Sequence, residues 1–188
     1  MIVCVSGVDG SGKTVFARRL CDAAARLGLR TTAIAVDDFR RELDWQQPRR
    51  SESDIYYEDY FDLEALERAM AAAPAADLLV VEGVLALRAP SLQKAFSIYL
   101  DVDERVARAR LVERDTARGR AAGEVLRRIE QRYFPAQQRY LVDHDPRARA
   151  DVLVDNNHPE KPRMIRGAPA AWPEPARAPL LEILGNAT

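Results

Sequence analysis

The chain has 188 residues, of which 47% are hydrophobic and 30% are charged, and its net charge at pH 7 is −1. This length predicts one globular domain, and the charge balance gives no overall field that would attract nucleic acid or an anionic membrane. No apolar run approaches the roughly 20 residues that cross a bilayer. We therefore expect a cytoplasmic protein without a signal peptide. Its expected partner is a small molecule, and a homo-oligomer is left open.

The first predicted elements are a buried strand at residues 2–6, a glycine-rich loop and a helix. The loop, Gly-Val-Asp-Gly-Ser-Gly-Lys-Thr at residues 7–14, matches the phosphate-loop pattern G-x-x-x-x-G-K-[ST]. Strand, loop and helix start place backbone N–H groups and a positive dipole end at one point, which predicts a polyphosphate site. A chance glycine turn is the alternative. The residues predicted to bind the nucleotide here are Gly7, Asp9, Gly10, Ser11, Gly12, Lys13 and Thr14.

Lys13 is expected to reach the β- and γ-phosphates, and the Thr14 hydroxyl to bind Mg²⁺. Further strands are predicted at residues 31–36, 78–81, 97–102 and 152–154. Further helices are predicted at residues 63–70, 104–114 and 121–133. This alternation predicts an α/β fold, a parallel sheet with helices on both faces.

Two segments lack a clear pattern. Residues 40–61 are polar and aromatic and predict a long loop, which in a compact domain is usually functional or mobile. Residues 157–188 are rich in proline and predict a tail that packs on, or extends from, a domain at residues 1–156, with a final helical turn near residues 180–184 at most.

Acidic residues follow two of the predicted strands. Asp37 and Asp38 end the second strand, and Glu82 ends the third. Ligands bind beyond the carboxyl ends of parallel strands, so these acids should meet the glycine loop. Asp37 is the candidate general base, and Thr14, Asp37 and Glu82 are the candidate metal environment. The alternatives are a turn pair for the aspartates and a solvated acid for Glu82.

Arginines surround a break between the two late helices, at residues 114–120. Arg114, Arg118 and Arg120 could form a mobile lid that stabilises charge on a transferred phosphate. Arg114 is the candidate catalytic arginine, and the other two are candidate nucleotide ligands. An ordinary solvated face is the alternative.

The 40–61 segment carries the remaining candidates for acceptor binding. Tyr56, Tyr57, Asp59 and Tyr60 are grouped there. A tyrosine such as Tyr57 could stack on a flat ring, and Asp59 could accept hydrogen bonds from ribose-like hydroxyls. The tyrosines could equally pack the segment onto the domain.

Together these motifs resemble the uridine kinase and phosphoribulokinase family of P-loop kinases over about residues 2–156. The resemblance implies five parallel strands, a P-loop NTPase fold, Mg·ATP as donor and Asp37 as the base. It also implies a metal role for Glu82 and an arginine-bearing lid at Arg114-Asp115 and Arg118-Gly119-Arg120.

The chain also departs from that family. Met70 is followed by an alanine-rich stretch and then directly by a strand, so the extra strands that read the base in uridine kinases have no counterpart. Leu111 stands where those kinases place an arginine near the ribose, and the adjoining Arg110 is the candidate replacement.

The sequence thus predicts a Mg·ATP-dependent kinase that phosphorylates a small-molecule hydroxyl, with a nucleoside such as uridine as the first candidate. One alternative acceptor is a non-nucleoside alcohol, such as pantothenate, a sugar phosphate or a natural product. Another alternative is a nucleotide-dependent switch without an acceptor.

Overall fold

A central sheet separates two layers of helices in the computed structural model, which describes residues 1–185. The strands are β1 (Ile2–Gly7), β2 (Thr31–Ala35), β3 (Leu78–Gly83), β4 (Phe96–Asp101), β5 (Val152–Asp155) and β6 (Arg163–Arg166). The helices are α1 (Lys13–Arg26), α2 (Glu52–Glu58), α3 (Leu63–Ala72), α4 (Glu104–Ala117), α5 (Ala122–Arg128), α6 (Phe134–His144), α7 (Pro146–Arg149) and α8 (Glu174–Leu184).

The strand order is β2-β3-β1-β4-β5-β6, in which β1 to β5 are parallel and β6 is antiparallel to β5. Alternate residues of a strand face opposite sides of the sheet. Val3 and Val5 of β1 pack with α1 and α8, whereas Cys4 packs on the side of α3 and α6. The central strand is therefore buried on both faces, as its apolar sequence predicts.

The carboxyl ends of β1, β2 and β3 lie side by side. Glu82 is in register with Val5 of β1 and with Ala35 of β2. This register brings the glycine loop, the acids after β2 and the acid at the end of β3 to one edge. None of the helices in the described part of the chain is both long and apolar enough to span a membrane.

The segment after residue 156 packs on the domain and holds more regular structure than the single helical turn expected. After residue 156 the chain adds β6 to the sheet, so the sheet has six strands instead of five. Trp172, Leu180 and Ile183 then enter the core beside α1. The sequence concealed this because the residues of β6 are largely exposed and Pro179 lies inside α8. Residues 186–188 of the predicted tail lie outside the described part.

The expected loop at residues 40–61 is also wrong in part, because it contains α2. Ser51 caps α2 by accepting a hydrogen bond from the Asp54 backbone N–H. The helix expected at residues 121–133 continues beyond that range: α5 passes through a π-helical turn at Ile129–Tyr133 into α6. Both corrections change which side chains reach the sheet edge.

Candidate functional site

The glycine loop has the conformation that its sequence pattern requires. Gly10 and Gly12 have φ of 81° and 89°, in the left-handed region that suits glycine. A Cβ at Gly10 would lie 2.4 Å from the Ala107 carbonyl oxygen, and one at Gly12 would lie 2.8 Å from Asn156 Nδ2. The loop therefore packs against α4 and against the segment after β5, and these contacts leave no room for a side chain at Gly10 or Gly12.

The start of α1 is free to bind an anion. Within the described residues, the α1 N-terminus has no side-chain cap and no acid in its first turn. Lys13 Nζ donates to the Val8 carbonyl oxygen at 2.8 Å, so the ammonium group lies over the loop. Backbone donors, a helix dipole and a buried cation converge here, as a phosphate site requires. Gly7, at the end of β1, and the buried Ser11 complete the loop.

A cavity of about 500 Å³ opens in front of this loop, and we call it the phosphate-loop cavity. It brings together most of the predicted site residues. Those that line it are Asp9, Gly10, Gly12, Lys13, Thr14, Asp37, Asp38, Glu82, Arg110, Arg114 and Arg118. The predicted convergence of loop and acids at one sheet edge is thus present in the structure.

Thr14 and Glu82 are in contact at the back of this cavity. Thr14 Oγ1 donates to Glu82 Oε1 at 2.8 Å. Burial raises the pKa of the Glu82 carboxyl above its ordinary value, against the opposing effects of the Lys13 charge and the Thr14 hydroxyl. Glu82 is therefore a buried, hydrogen-bonded acid and not the solvated acid of the alternative.

These oxygens fit a magnesium ion that is bound mainly through phosphates. Among residues 1–185, no group of three His, Cys, Asp or Glu side chains could hold a metal by itself. Mg²⁺ in nucleotide sites usually keeps several waters and takes only one or two protein ligands beside the phosphates. The Thr14 hydroxyl and the Glu82 carboxylate are hard donors of that kind.

Asp37 lies in the short 3₁₀ helix Val36–Phe39 that follows β2. Its carboxylate is 3.4 Å from Arg40 Nη2, and Arg40 Nε donates to the Asp37 carbonyl oxygen at 2.6 Å. Arg40 thereby contacts both the side-chain carboxylate and the backbone carbonyl of Asp37. The carboxylate is half-exposed and lines the phosphate-loop cavity.

Asp9 is held from two sides, by one of the grouped tyrosines and by a glutamine that the sequence did not single out. Its Oδ2 accepts from the Tyr56 hydroxyl at 3.1 Å and from Gln137 Nε2 at 2.9 Å. The Asp9 N–H donates to Gln137 Oε1 at 3.0 Å. Burial raises the pKa of Asp9, and the Asp37 carboxylate adds to that rise while Lys13 and Arg114 oppose it.

A second cavity, of about 90 Å³, adjoins the first, and we call it the arginine cavity. Five residues line both cavities: Asp9, Asp37, Arg40, Arg114 and Arg118. The arginines that line the second cavity are Arg40, Arg114, Arg118, Arg120, Arg128 and Arg132. Tyr56, Tyr60 and Tyr133 complete its wall.

The predicted lid is anchored by Asp115, which is 1% exposed. Arg114 Nε and Arg120 Nη1 each donate to this carboxylate at 2.8 Å. Arg120 lies in the wall of the arginine cavity only, whereas Arg114 and Arg118 face both cavities. Asp115 therefore holds Arg114 and Arg120 in the walls of these cavities.

Two predicted acceptor ligands lie away from both cavities. The Tyr57 hydroxyl donates to Asp143 at 2.9 Å, and the Tyr57 ring packs against the Arg88 and Arg139 guanidinium groups. Asp59 accepts from Arg50 at 2.5 Å. Consecutive side chains of a helix point about 100° apart. Because residues 52–58 form α2, Tyr57 faces away from the cavity that Tyr56 lines.

Arg110 lines the phosphate-loop cavity and not the arginine cavity. Its guanidinium group donates to the carbonyl oxygens of Gly10, Asn156 and Asn157. It therefore ties the glycine loop to the segment after β5. The structure places it in the phosphate-loop cavity and not beside the tyrosines, where a ribose ligand was expected.

Sequence reasoning also missed Asn156 and Gln137. Asn156 Nδ2 donates to the Ser11 carbonyl oxygen at 2.6 Å and supports the loop from beyond β5. Its position at the carboxyl end of a strand could have indicated this role. Gln137 lies on α6, which the sequence pattern did not predict, so no signal pointed to it.

The comparisons with known proteins agree with this fold. A family model described as AAA domain matches residues 3–134. This chain belongs to that AAA-domain family. The matched range runs from β1 into α6, so it contains the glycine loop, both strand-end acids and the lid. A search of curated proteins found no match.

Two solved structures resemble this AAA-domain protein. One, named provisionally as a uridine kinase from Bacillus stearothermophilus, is 20% identical, with 81% of this chain and 87% of that chain covered and a TM-score of 0.61. The other, named provisionally as a fructose transport system kinase from Silicibacter sp. TM1040, is 20% identical, with 76% and 84% covered and a TM-score of 0.59. At this identity the likeness concerns the fold, and it confirms the predicted P-loop kinase fold.

Proposed function

We propose that this protein transfers the γ-phosphate of Mg·ATP to a hydroxyl group of a small molecule. The observation that carries the proposal is that Lys13 and Asp37 line the same cavity. A phosphate-binding cation and a carboxylate at one opening are what phosphoryl transfer to an alcohol needs.

The proposed reaction assigns a task to each group. Asp37 takes the proton of the acceptor hydroxyl, whose oxygen forms a bond to the γ-phosphorus as the bond to the β–γ bridging oxygen breaks and ADP leaves. Lys13 gives up its hydrogen bond to the Val8 carbonyl oxygen and donates to a phosphate oxygen instead. Thr14 and Glu82 hold Mg²⁺, which neutralises phosphate charge when bound. Arg114 and Arg118 stabilise the charge that moves during transfer.

The acceptor in this proposal is a non-nucleoside alcohol, although a nucleoside was the first candidate from sequence. Two observations favour this change. The chain passes from α3 to β3 with no intervening strand, and Tyr57, the expected stacking partner of a base, packs on α6. A switch without an acceptor is less well supported, because Asp37 has no task in it.

The test compares Asp37→Asn with Asp44→Asn, which removes an exposed carboxylate from the same segment outside both cavities. We expect Asp37→Asn to lower acceptor-dependent ADP formation by about 10²–10⁴-fold and to leave binding of a non-hydrolysable ATP analogue nearly unchanged. Asp44→Asn should behave as the unaltered protein does. ADP formation is measured against a panel of alcohols, sugars, sugar phosphates, vitamins and nucleosides.

Full activity of Asp37→Asn would refute the base assignment. Slow ATP hydrolysis that no alcohol accelerates would instead identify a nucleotide switch. Fast transfer to uridine would restore the nucleoside as the acceptor.

A further inference from the structure

We infer that the alcohol phosphorylated by this protein carries an anionic group of its own, a phosphate ester or a carboxylate, which binds in the arginine cavity. This inference rests on the proposed kinase function and names the chemical class of its acceptor.

The charge of the cavity wall is the first observation. Six guanidinium groups and only two carboxylates, those of Asp9 and Asp37, line it. Three acids outside the wall, Asp115, Glu52 and Glu124, pair with some of these arginines. The six arginines outnumber these five acids by one, and Glu52 is shared with a further arginine, so positive charge is in excess. Arg114 and Arg118 also line the phosphate-loop cavity, where the proposed reaction assigns them to the transferred phosphate, whereas Arg120, Arg128 and Arg132 line the arginine cavity alone.

The state of individual arginines is the second observation. The Arg118 guanidinium group has no hydrogen-bond or ion-pair partner among the residues that the structure describes. Arg128 is bound by Glu124, and its Nε is buried without a hydrogen-bond partner within residues 1–185. Arg132 is fixed by Glu52 and by the Trp45 ring 3.3 Å away. The cavity thus combines one rigid guanidinium with two that have donors to spare.

These donors match oxyanions better than a nucleobase. A guanidinium group binds phosphate and carboxylate with two parallel hydrogen bonds. A base would need an open aromatic face, but the Tyr56 and Tyr60 rings stack on each other at 4.9 Å. The small volume, about 90 Å³, suits one compact charged group.

The position of the arginine cavity gives the acceptor its orientation. Asp37 and Arg118 line both cavities. An acceptor anchored by its anion among the arginines would therefore place a hydroxyl near Asp37, facing the phosphate loop. The anion supplies binding energy that holds the hydroxyl in line for transfer.

The test uses pairs of acceptors in which one member is neutral and the other carries a phosphate ester or a carboxylate, such as ribose with ribose 5-phosphate and glucose with glucuronate. We expect kcat/KM for the charged member to exceed that for its neutral partner by roughly tenfold or more. The phosphate and carboxylate pairs show which oxyanion the cavity prefers. Arg128→Gln should reduce this preference by a similar factor, because it lowers kcat/KM for the charged member far more than for the neutral member.

The matched control is Arg108→Gln. Arg108 pairs with Glu130 as Arg128 pairs with Glu124, but it lies on α4 outside both cavities. This variant should keep the full preference for the charged member. An equal loss for charged and neutral members in Arg128→Gln would overturn the inference.

A binding measurement keeps the inference testable without turnover. With the phosphate loop saturated by a non-hydrolysable ATP analogue, calorimetry should detect binding of inorganic phosphate that Arg128→Gln weakens and Arg108→Gln does not. No such binding by the unaltered protein would overturn the inference. Better transfer to neutral alcohols, abolished by Asp37→Asn, would overturn it too but leave the kinase intact. Phosphate binding without transfer to any acceptor would support the oxyanion site and count against the kinase.

Discussion

The phosphate-loop cavity and the arginine cavity share five residues but are built in different ways. The first is built around the glycine loop and the start of α1, because residues 9–15 supply six of its fifteen lining residues and include glycines where a Cβ would collide. The second is made from the side chains of three helices and the turns beside them. The backbone site follows from a short motif, whereas the side-chain site depends on the rotational position of helices that the motif does not contain.

The largest expected effect tests the backbone-built cavity. Lys13→Met removes the buried cation from the loop and should lower acceptor-dependent ADP formation by about 10²–10³-fold. The measurement is steady-state ADP formation, together with binding of an ATP analogue.

Lys94→Met is the control for that loss. Lys94 is exposed and precedes β4, at the edge of the sheet opposite the glycine loop. It should leave ADP formation unchanged. Near-normal activity of Lys13→Met would mean that the loop does not hold the transferred phosphate, and the contrast between the two cavities would lose its basis.

The same contrast explains how much the sequence predicted. Five strands and the glycine loop followed from apolar runs and one motif, because each is encoded by neighbouring residues. β6 was missed because its side chains are mostly exposed, and α6 because its apolar spacing is weak.

The candidate site also contains residues that the sequence could place and residues that it could not. Lys13, Thr14, Asp37 and Glu82 could be placed together because parallel strands end at one edge. Gln137 could not be placed, because its helix was not predicted. Tyr57 and Asp59 lie outside both cavities, and the sequence could not indicate this, because a segment read as a loop gives no information on which side chains share a face.

The next expected effect tests the lid, which joins the two cavities. Asp115→Asn removes the buried carboxylate that binds Arg114 and Arg120, and should lower the free energy of unfolding at pH 7 by about 1–2 kcal/mol, since both arginines are partly exposed. Urea unfolding at several pH values measures this change.

The pH dependence has a definite sign. Burial by itself would raise the pKa of Asp115, but hydrogen bonds and charges from Arg114 and Arg120 outweigh it and hold the pKa below its ordinary value. A carboxyl with a lowered folded-state pKa stabilises the protein above its unfolded-state pKa and loses that effect as pH falls through the folded-state pKa. The difference between the protein and Asp115→Asn should therefore shrink in acid.

Asp103→Asn serves as the comparison for the lid variant. Asp103 is an exposed carboxylate just before α4 and makes no side-chain capping hydrogen bond within the part described. Its replacement should change stability little at any pH. A constant difference between Asp115→Asn and the unaltered protein from pH 7 to acid would show that the lid arginines do not depend on this charge.

The smallest expected effect separates two adjacent tyrosines. Tyr56→Phe removes the hydroxyl that donates to Asp9 in the wall shared by the cavities. We expect kcat/KM for the acceptor to fall by about tenfold while ATP-analogue binding stays nearly constant. Tyr57→Phe removes a hydroxyl that binds Asp143 on α6, and it should change stability by about 1 kcal/mol or less with normal acceptor kinetics.

The two variants have the same chemistry and differ only in the face of α2 that they occupy. If Tyr57→Phe impaired the acceptor kinetics as much as Tyr56→Phe, residues 52–58 would not be helical when the acceptor binds, and the loop expected from the sequence would be the better description. If only Tyr56→Phe impaired them, the acceptor side would be set by helix rotation. That result would explain why Tyr56 and not its neighbour belongs to the site.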